Sequence, residues 1–513
     1  MTPPPPFRAI SDLVHEHAVT RPRSPALSDA ATALDYGALD ALMDRTAAAL
    51  VRDGLRPGDA VALCGTPSVP QAVAFLGALR ASAVVAPLAP SATREQLAMM
   101  LADCGASIVF VDGGVGDLLP AAPPPHGVVA LDGGVAGQPF EHWLAAPGAR
   151  PPRVPVRPED PFNIIYSSGT TGVPKGIVQP HGMRWAHVMR ASRYGYGADS
   201  VVLLATPLYS NTTLVAFFPA LASGGHVHLM ARFDAGAYLE LAQRLHATHT
   251  MLVPVQYRRI MALPQFGDFD LSSFRTKLCT SAPFDAALKA EVLARWPGGL
   301  VEVYGLTEGG GTCILDAHLH PDKLHTVGRP APGHDFRLVD ELCRELPVGP
   351  DVVGEIVGHS PGMMSGYHGQ PDKTREAEWF DAAGKRFIRT GDIGRFDEDG
   401  FLVLMDRRKD MIISGGFNIY PSDLETVLRQ HPAVDDVAVV GVPSERWGET
   451  PVAYVVPRAH VAVDEPGLLA WCNARVGKTQ RLHALRLIDA LPRSAIGKVL
   501  KRDLRERFVA APA

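Results

Sequence analysis

Apolar residues recur along the first hundred positions with two alternating periods. Between Ala38 and Leu50 they fall at Leu39, Leu42, Met43 and Leu50, the spacing of one helix face, and Ala60-Val-Ala-Leu63 follows as an unbroken apolar strand. Gln71 to Ala81 returns to helical spacing and is followed by the apolar run Ser82-Ala-Val-Val-Ala86. Arg94 to Ala102 then reads as a helix and Ser107-Ile-Val-Phe-Val111 as a strand. Strands alternating with helices at this interval predict mostly parallel α/β sheets. The rhythm lapses over residues 114–158, rich in Gly, Pro and Ala, which are expected to run over the surface as loop and short strand. It resumes from Val201 to about Leu300.

From Phe336 to Met405 short strands dominate, punctuated by Gly349, Gly354, Gly358, Gly384 and Gly400, and predict a small antiparallel unit. Past Asp406-Arg-Arg-Lys-Asp410 a new rhythm begins, with a helix near Pro421–Gln430 and a strand near Val437–Val440. At 513 residues the chain exceeds one ordinary core. No internal repeat is visible.

Composition narrows the class. Hydrophobic residues make up 46% and charged residues 20%, as in a globular enzyme, and the net charge of −5 together with the lack of basic runs disfavours nucleic acid. Cys64, Cys104, Cys279, Cys313, Cys343 and Cys472 form no Cys-x-x-Cys pair, so reduced thiols in a cytoplasmic setting are expected. The start, Met1-Thr-Pro-Pro-Pro-Pro, has no secretory pattern. The most apolar stretch, Leu214 to Ala222, is expected to be broken by Pro219 and falls far short of the ~20 residues that span a bilayer.

One loop carries the chemistry. The apolar strand Ile164-Ile-Tyr166 runs into Ser167-Ser-Gly-Thr-Thr-Gly-Val-Pro-Lys-Gly176. Small residues let a backbone approach polyphosphate closely, hydroxyls and amides donate to it, and Lys175 adds charge. Gly169 and Lys175 have the separation of a Gly-x4-Gly-Lys-Ser/Thr loop. Pro174 takes the second glycine's place and Gly176 the hydroxyl's, which excludes that motif.

The string Tyr166-Ser-Ser-Gly-Thr-Thr-Gly-Val-Pro-Lys-Gly176 closely resembles the signature loop of adenylate-forming enzymes: acyl-CoA synthetases, carrier-protein adenylation domains and beetle luciferases. Four further matches follow in the family's order. Val303-Tyr-Gly-Leu-Thr-Glu308 resembles the segment that packs on adenine and holds phosphate and magnesium. Arg389-Thr-Gly-Asp392 is similar to the ribose-binding aspartate segment. Asp406-Arg-Arg-Lys-Asp410 resembles the hinge, and Pro492-Arg-Ser-Ala-Ile-Gly-Lys498 the C-terminal signature.

The resemblance implies an α/β protein with a large N-terminal domain of mostly parallel α/β sheets plus a small β-barrel-like unit (1–405). A hinge (406–410) and a smaller, mobile α+β C-terminal domain (411–513) would follow. It implies an acid–thiol ligase that activates a carboxylic acid with ATP and magnesium as the acyl-adenylate, then passes the acyl group to coenzyme A. By match, Lys175, Thr307, Glu308 and Lys498 would be catalytic. Ser167, Ser168, Gly169, Thr170, Thr171, Gly172, Ser281, Ala282, Tyr304, Gly305, Asp392 and Arg407 would bind ATP or AMP. Thr170 and Glu308 would hold magnesium, and Lys409 would be the pivot. Ser414, Gly415, Gly416 and Trp447 would meet coenzyme A. A hard cation bridging phosphates suits carboxylate and hydroxyl oxygens.

The acyl pocket is expected from the helix around Trp185–Met189, from Tyr209, Ser210 and Asn211, and from Gly309-Gly310-Gly311, whose missing side chains would open space for an aryl or extended fatty acid. No arginine falls inside these segments, an argument against a dicarboxylic acid, although Arg184 and Arg190 flank the first. Ser210 stands where the family commonly has histidine, Ser281-Ala-Pro283 replaces a more glycine-rich turn, and Gly477-Lys-Thr-Gln-Arg481 lacks the usual proline. Rival readings are an acyl-AMP ligase loading a phosphopantetheine carrier, an adenylate-using oxidative enzyme, and a regulator that binds nucleotide without catalysis. A homodimer is the candidate assembly.

Overall fold

Two helices, Val69–Arg80 and Asn211–Ala222, bury almost every side chain over their central turns. A helix apolar all round has no face to turn to water and must lie inside. Phe75, Phe162 and Phe218 meet edge-on or tilted there, with ring centroids 5.1–6.3 Å apart. The buried Tyr36 hydroxyl donates to the carbonyls of Leu221 and Gly225 at 3.0 and 2.8 Å. Pro219 does not break its stretch, as the sequence had suggested; it lies inside the helix and is buried. Proline in a helix interior costs about 3 kcal/mol. Burial of Leu214, Phe217, Phe218 and Leu221 on every side offsets that cost.

The computed structural model describes residues 5–120, 124–134, 137–167, 175–414, 417–444, 447–459, 461, 463–494 and 497–510. They fall into two compact units, one of residues 1–335 and 359–388, the other of 336–358 and 389–513.

The first unit holds two large sheets sharing one core. In the nine-stranded sheet, Pro25–Ser28, His226–Leu229, Val201–Leu204, His249–Leu252, Thr276–Cys279 and Gly299–Gly305 run parallel in that order. In the eight-stranded sheet the parallel set is Pro161–Ser167, Val84–Leu88, Ala60–Cys64, Ile108–Val111, Val128–Ala130 and Gln138–Pro139. Ala60–Cys64 and Val84–Leu88 are buried at every position, as parallel strands covered on both faces should be. Antiparallel strands Lys175–Pro180 and Gly366–Tyr367 close this sheet's other edge.

In the second unit, Asp392 to Phe396 of the strand Arg386–Phe396 pair antiparallel with Leu402–Arg407. Beyond residue 410 an antiparallel sheet is built on Val434–Ser444 and Gly448–Pro457, flanked by Pro421–Arg429, Glu465–Asn473 and Lys501–Ala510. Successive side chains of Val434–Ser444 point to opposite faces. Val437 and Val439 pack with Leu424, Leu428 and Leu468, whereas Ala438, Val440 and Val442 pack with Tyr454, Leu491 and Leu504. Both faces are thereby covered, which makes this part α+β.

Candidate active site

In the first unit the strand Gly299–Gly305 ends one sheet's parallel run and delivers Thr307 and Glu308 to the turn beyond it. Tyr367 comes from the other sheet's edge, and its hydroxyl donates to Glu308 Oε1 at 2.9 Å. Burial, and then the Glu308 charge, push the phenol's pKa up, so it stays a donor. The Glu308 carbonyl accepts from Met364 N at 2.8 Å. Lys175 begins the adjacent strand, directly across from Ser167, with its Nζ 5.2 Å from the Tyr367 ring. Lys175, Thr307 and Glu308 therefore share one neighbourhood through Tyr367. Sequence reasoning missed that residue; its signal was a short Gly-Tyr strand after a loop. Ser168, Gly169, Thr170, Thr171 and Gly172, assigned to phosphate and magnesium, lie outside the described residues, as do Gly415 and Gly416.

A second group fixes the turn from behind. Gln179 Nε2 donates to the Thr307 carbonyl at 2.6 Å. Arg184 donates through Nε to Asn163 Oδ1 at 3.1 Å, through Nη1 to Asn211 Oδ1 at 2.9 Å, and to Gln179 Oε1. This guanidinium has no accessible surface and faces amides and the rings of Phe162 and Phe218. Burial pulls its pKa down to about 9, and the four hydrogen-bonded acceptor contacts keep it protonated near neutrality. Asn211, predicted as pocket lining, belongs to this network. Ser210 caps the helix Asn211–Ala222, its Oγ accepting from Thr212 N at 3.3 Å. That is a physical reason for serine at the position where the family commonly has histidine.

The remaining predicted residues of this unit are spread more widely. Tyr304 and Gly305 pair with Cys313 and Thr312 in the strand leading to Thr307. Ser281 holds a left-handed φ of 84°, in the turn where the sequence departs from glycine, and its hydroxyl is hydrogen-bonded to Thr212 Oγ1; Ala282 follows it. Trp185 packs edge-on to Phe7 at 6.3 Å. Tyr209 is half-buried, and burial raises its phenol. Gly309 has φ 77°, and a Cβ there would fall 2.3 Å from the Gly362 carbonyl oxygen. The turn itself thus demands glycine at 309, a different reason from the spare space expected; Gly310 is buried beside it.

In the second unit, Arg407 Nε lies 3.0 Å from Asp392 Oδ1, and the two are cross-strand partners. Lys409 has its pKa lowered, chiefly by burial. Ser414 pairs with Phe417 and Gly448, and Trp447 is 48% exposed beside it. Lys498 is exposed on a turn in which Ser494 N donates to the Lys498 carbonyl at 2.8 Å. That turn is anchored by Arg493, whose Nη2 meets Asp436 at 2.5 Å and whose Nη1 meets the Gly497 carbonyl at 2.6 Å.

The family model for AMP-binding enzymes matches residues 14–368, and that for the AMP-binding enzyme C-terminal domain matches residues 423–498. A feruloyl-CoA synthase of Amycolatopsis sp is 36% identical over 95% of this chain and 96% of its own length. The fatty acid–[acyl-carrier-protein] ligase ScoC of Streptomyces coeruleorubidus is 33% identical over 96% of this chain and 95% of its own. Among solved structures, ATP-bound MatB from Rhodopseudomonas palustris superposes with a TM-score of 0.87 at 30% identity, covering 98% of this chain and 99% of that one. The chain belongs to the AMP-binding enzymes and is an acid–thiol ligase forming AMP and pyrophosphate. Among the described residues no helix is long and apolar enough to cross a membrane.

Proposed function

We propose that this ligase activates an aryl-substituted carboxylic acid and transfers it to coenzyme A. The observation that carries the ligase chemistry is the Lys175–Tyr367–Glu308 constellation, a cation and an oriented carboxylate at the end of a parallel strand, and the likeness to a feruloyl-CoA synthase supports the aryl acid. Attack of a carboxylate on the α-phosphorus of ATP brings two anions together, so the site must supply positive charge and fixed geometry. Lys175 supplies one charge. Glu308, with one oxygen engaged by Tyr367, would use its other oxygen to hold magnesium, which would supply positive charge against the phosphates. Thr307, its carbonyl held by Gln179, keeps its hydroxyl for the α-phosphate.

Lys498 of the second unit joins this field for adenylation, and the segment 406–410 serves as the hinge by which it leaves. Ser414 and Trp447 then face the thiol substrate. Asp392 and Arg407 exchange their mutual ion pair for ribose hydroxyls. The larger-domain boundary at 405 belongs to this same proposal. Coenzyme A is favoured by the feruloyl-CoA synthase likeness; the likeness to ScoC supports a carrier protein as the second reading. Reduced cysteines would suit a cytoplasmic location.

A panel of aryl and fatty acids in a pyrophosphate-release assay, each with coenzyme A, with carrier protein and with neither, tests the reading. Aryl acids should be released as CoA thioesters. Fatty-acid preference would overturn the acid, and acyl transfer confined to the carrier would overturn the acceptor.

A further inference from the structure

Tyr367 stands in a short strand held by both its backbone and its ring. It pairs antiparallel with Ile177, its N–H donates to Thr374 Oγ1 at 2.9 Å, and its carbonyl accepts from Gln370 N at 3.1 Å. The next residue, His368, donates from its N to the Gly176 carbonyl at 2.7 Å. The ring packs against the buried cluster of Ile177, Met364 and Ile388. The phenol therefore has little freedom to swing.

It touches two opposite charges with different parts of the ring. The register sets Ile177 opposite Tyr367, and Lys175, two residues earlier in its strand, shares the face of Ile177. Diagonal neighbours at that offset stand about 7–8 Å apart, within reach of a long side chain. Lys175 Nζ accordingly comes to 5.2 Å from the ring centroid, while the hydroxyl donates to Glu308 Oε1 at 2.9 Å. Among the described residues, Lys175 and Glu308 make no ion pair with each other or with another group. Both are half-buried, where opposite charges attract far more strongly than in water. Paired together, they would offer a polyphosphate neither a cation nor a carboxylate for its metal.

Resting on the acid-ligase reading above, we propose that Tyr367 is a positioning residue that holds Lys175 and Glu308 apart until ATP binds. Its ring face takes the ammonium, a contact weak enough to be surrendered to phosphate. Its hydroxyl ties down one carboxylate oxygen, which stops Glu308 from turning onto Lys175. One side chain thus preserves both charges for the nucleotide.

The test is a double-mutant cycle on ATP binding, read by isothermal titration with a magnesium chelator present, so that Glu308 acts only as a charge. Tyr367→Phe keeps the ring and removes the tie on Glu308, and its Kd for ATP should rise about 10-fold. Glu308→Gln, which carries no charge to pair with Lys175, should bind metal-free ATP at least as tightly as the parent. In that background Tyr367→Phe should shift Kd by no more than about twofold. Tyr367→His, which keeps a ring and a donor, should restore most of the parent's affinity. Tyr367→Leu, carried through the same cycle with the same expectation, covers the case in which Tyr367→Phe does not fold. An equal rise in Kd in both backgrounds would mark a purely structural tyrosine, and an unchanged Kd in Tyr367→Phe would remove the role altogether. Either result overturns the inference and leaves the ligase reading standing. Failure of the parent to bind ATP removes both.

Discussion

In the larger unit Arg184 has no accessible surface and is bound by Asn163, Gln179 and Asn211, while in the smaller unit Lys498 stands exposed on a turn. The same contrast runs through their neighbours. Glu308 is held by Tyr367, and buried Lys289 is paired with Glu302. In the smaller unit Trp447 is 48% exposed, and the Arg407 side chain is 44% exposed. A group that must present one geometry to phosphate gains from being fixed before substrate arrives. On the proposed function, Lys498 would serve one step and leave for the next, which its exposed position suits. The second unit also fixes charges, as in the pairs Lys501–Glu425 and Arg389–Glu355, so the contrast lies between a guanidinium tied into a core and a lysine exposed on a turn.

Replacing one residue in each unit is the strongest way to break this contrast. Lys498→Ala should slow acid-dependent pyrophosphate–ATP exchange by about 10³-fold. Its melting temperature should match the parent's, and thioester formation from supplied acyl-adenylate should persist. A large drop in melting temperature would show that Lys498 belongs to the fold after all.

Arg184→Ala should do the opposite. Asn163, Gln179 and Asn211 would lose the donors they face, at a cost of about 3 kcal/mol in denaturant unfolding. Stability like the parent's would dissolve the distinction between the units.

The smallest effect concerns pH. His181, His226, His249 and His334, all in the larger unit, have pKa values lowered to about 4, each chiefly by burial. An unfolded histidine titrates near 6.5. Between pH 6.5 and 4 the unfolded chain therefore binds more protons, and stability must fall as pH falls through that window. His249, fully buried against Thr248 and the Tyr194 carbonyl, should contribute up to about 1.4 kcal/mol per pH unit. His249→Gln should flatten the measured slope by that share, and an unchanged slope would remove His249 from the account.

The alternation of helices and strands, the α/β class, and Lys175, Thr307, Glu308 and Lys498 as candidates were all legible along the chain. Periodicity reports which side chains share a face, and a contiguous motif reports its own chemistry, because both are local properties of the polymer. Pro219 misled that reading, since a proline's local penalty says nothing of the core that surrounds it. Gly309 was read as spare room, because only the folded chain shows the Gly362 carbonyl lying against it.

What the sequence could not determine is which distant residues meet. Tyr367 and Glu308 are brought together by two different sheets, and Arg184 joins Asn163, Gln179 and Asn211 from two strands and a helix. Arg190 and His334 reach one cavity from positions far apart in the chain. Hydrogen bonds and desolvation act through space at a few ångströms, so these partnerships, and every pKa shift that follows from them, exist only once the tertiary fold has formed.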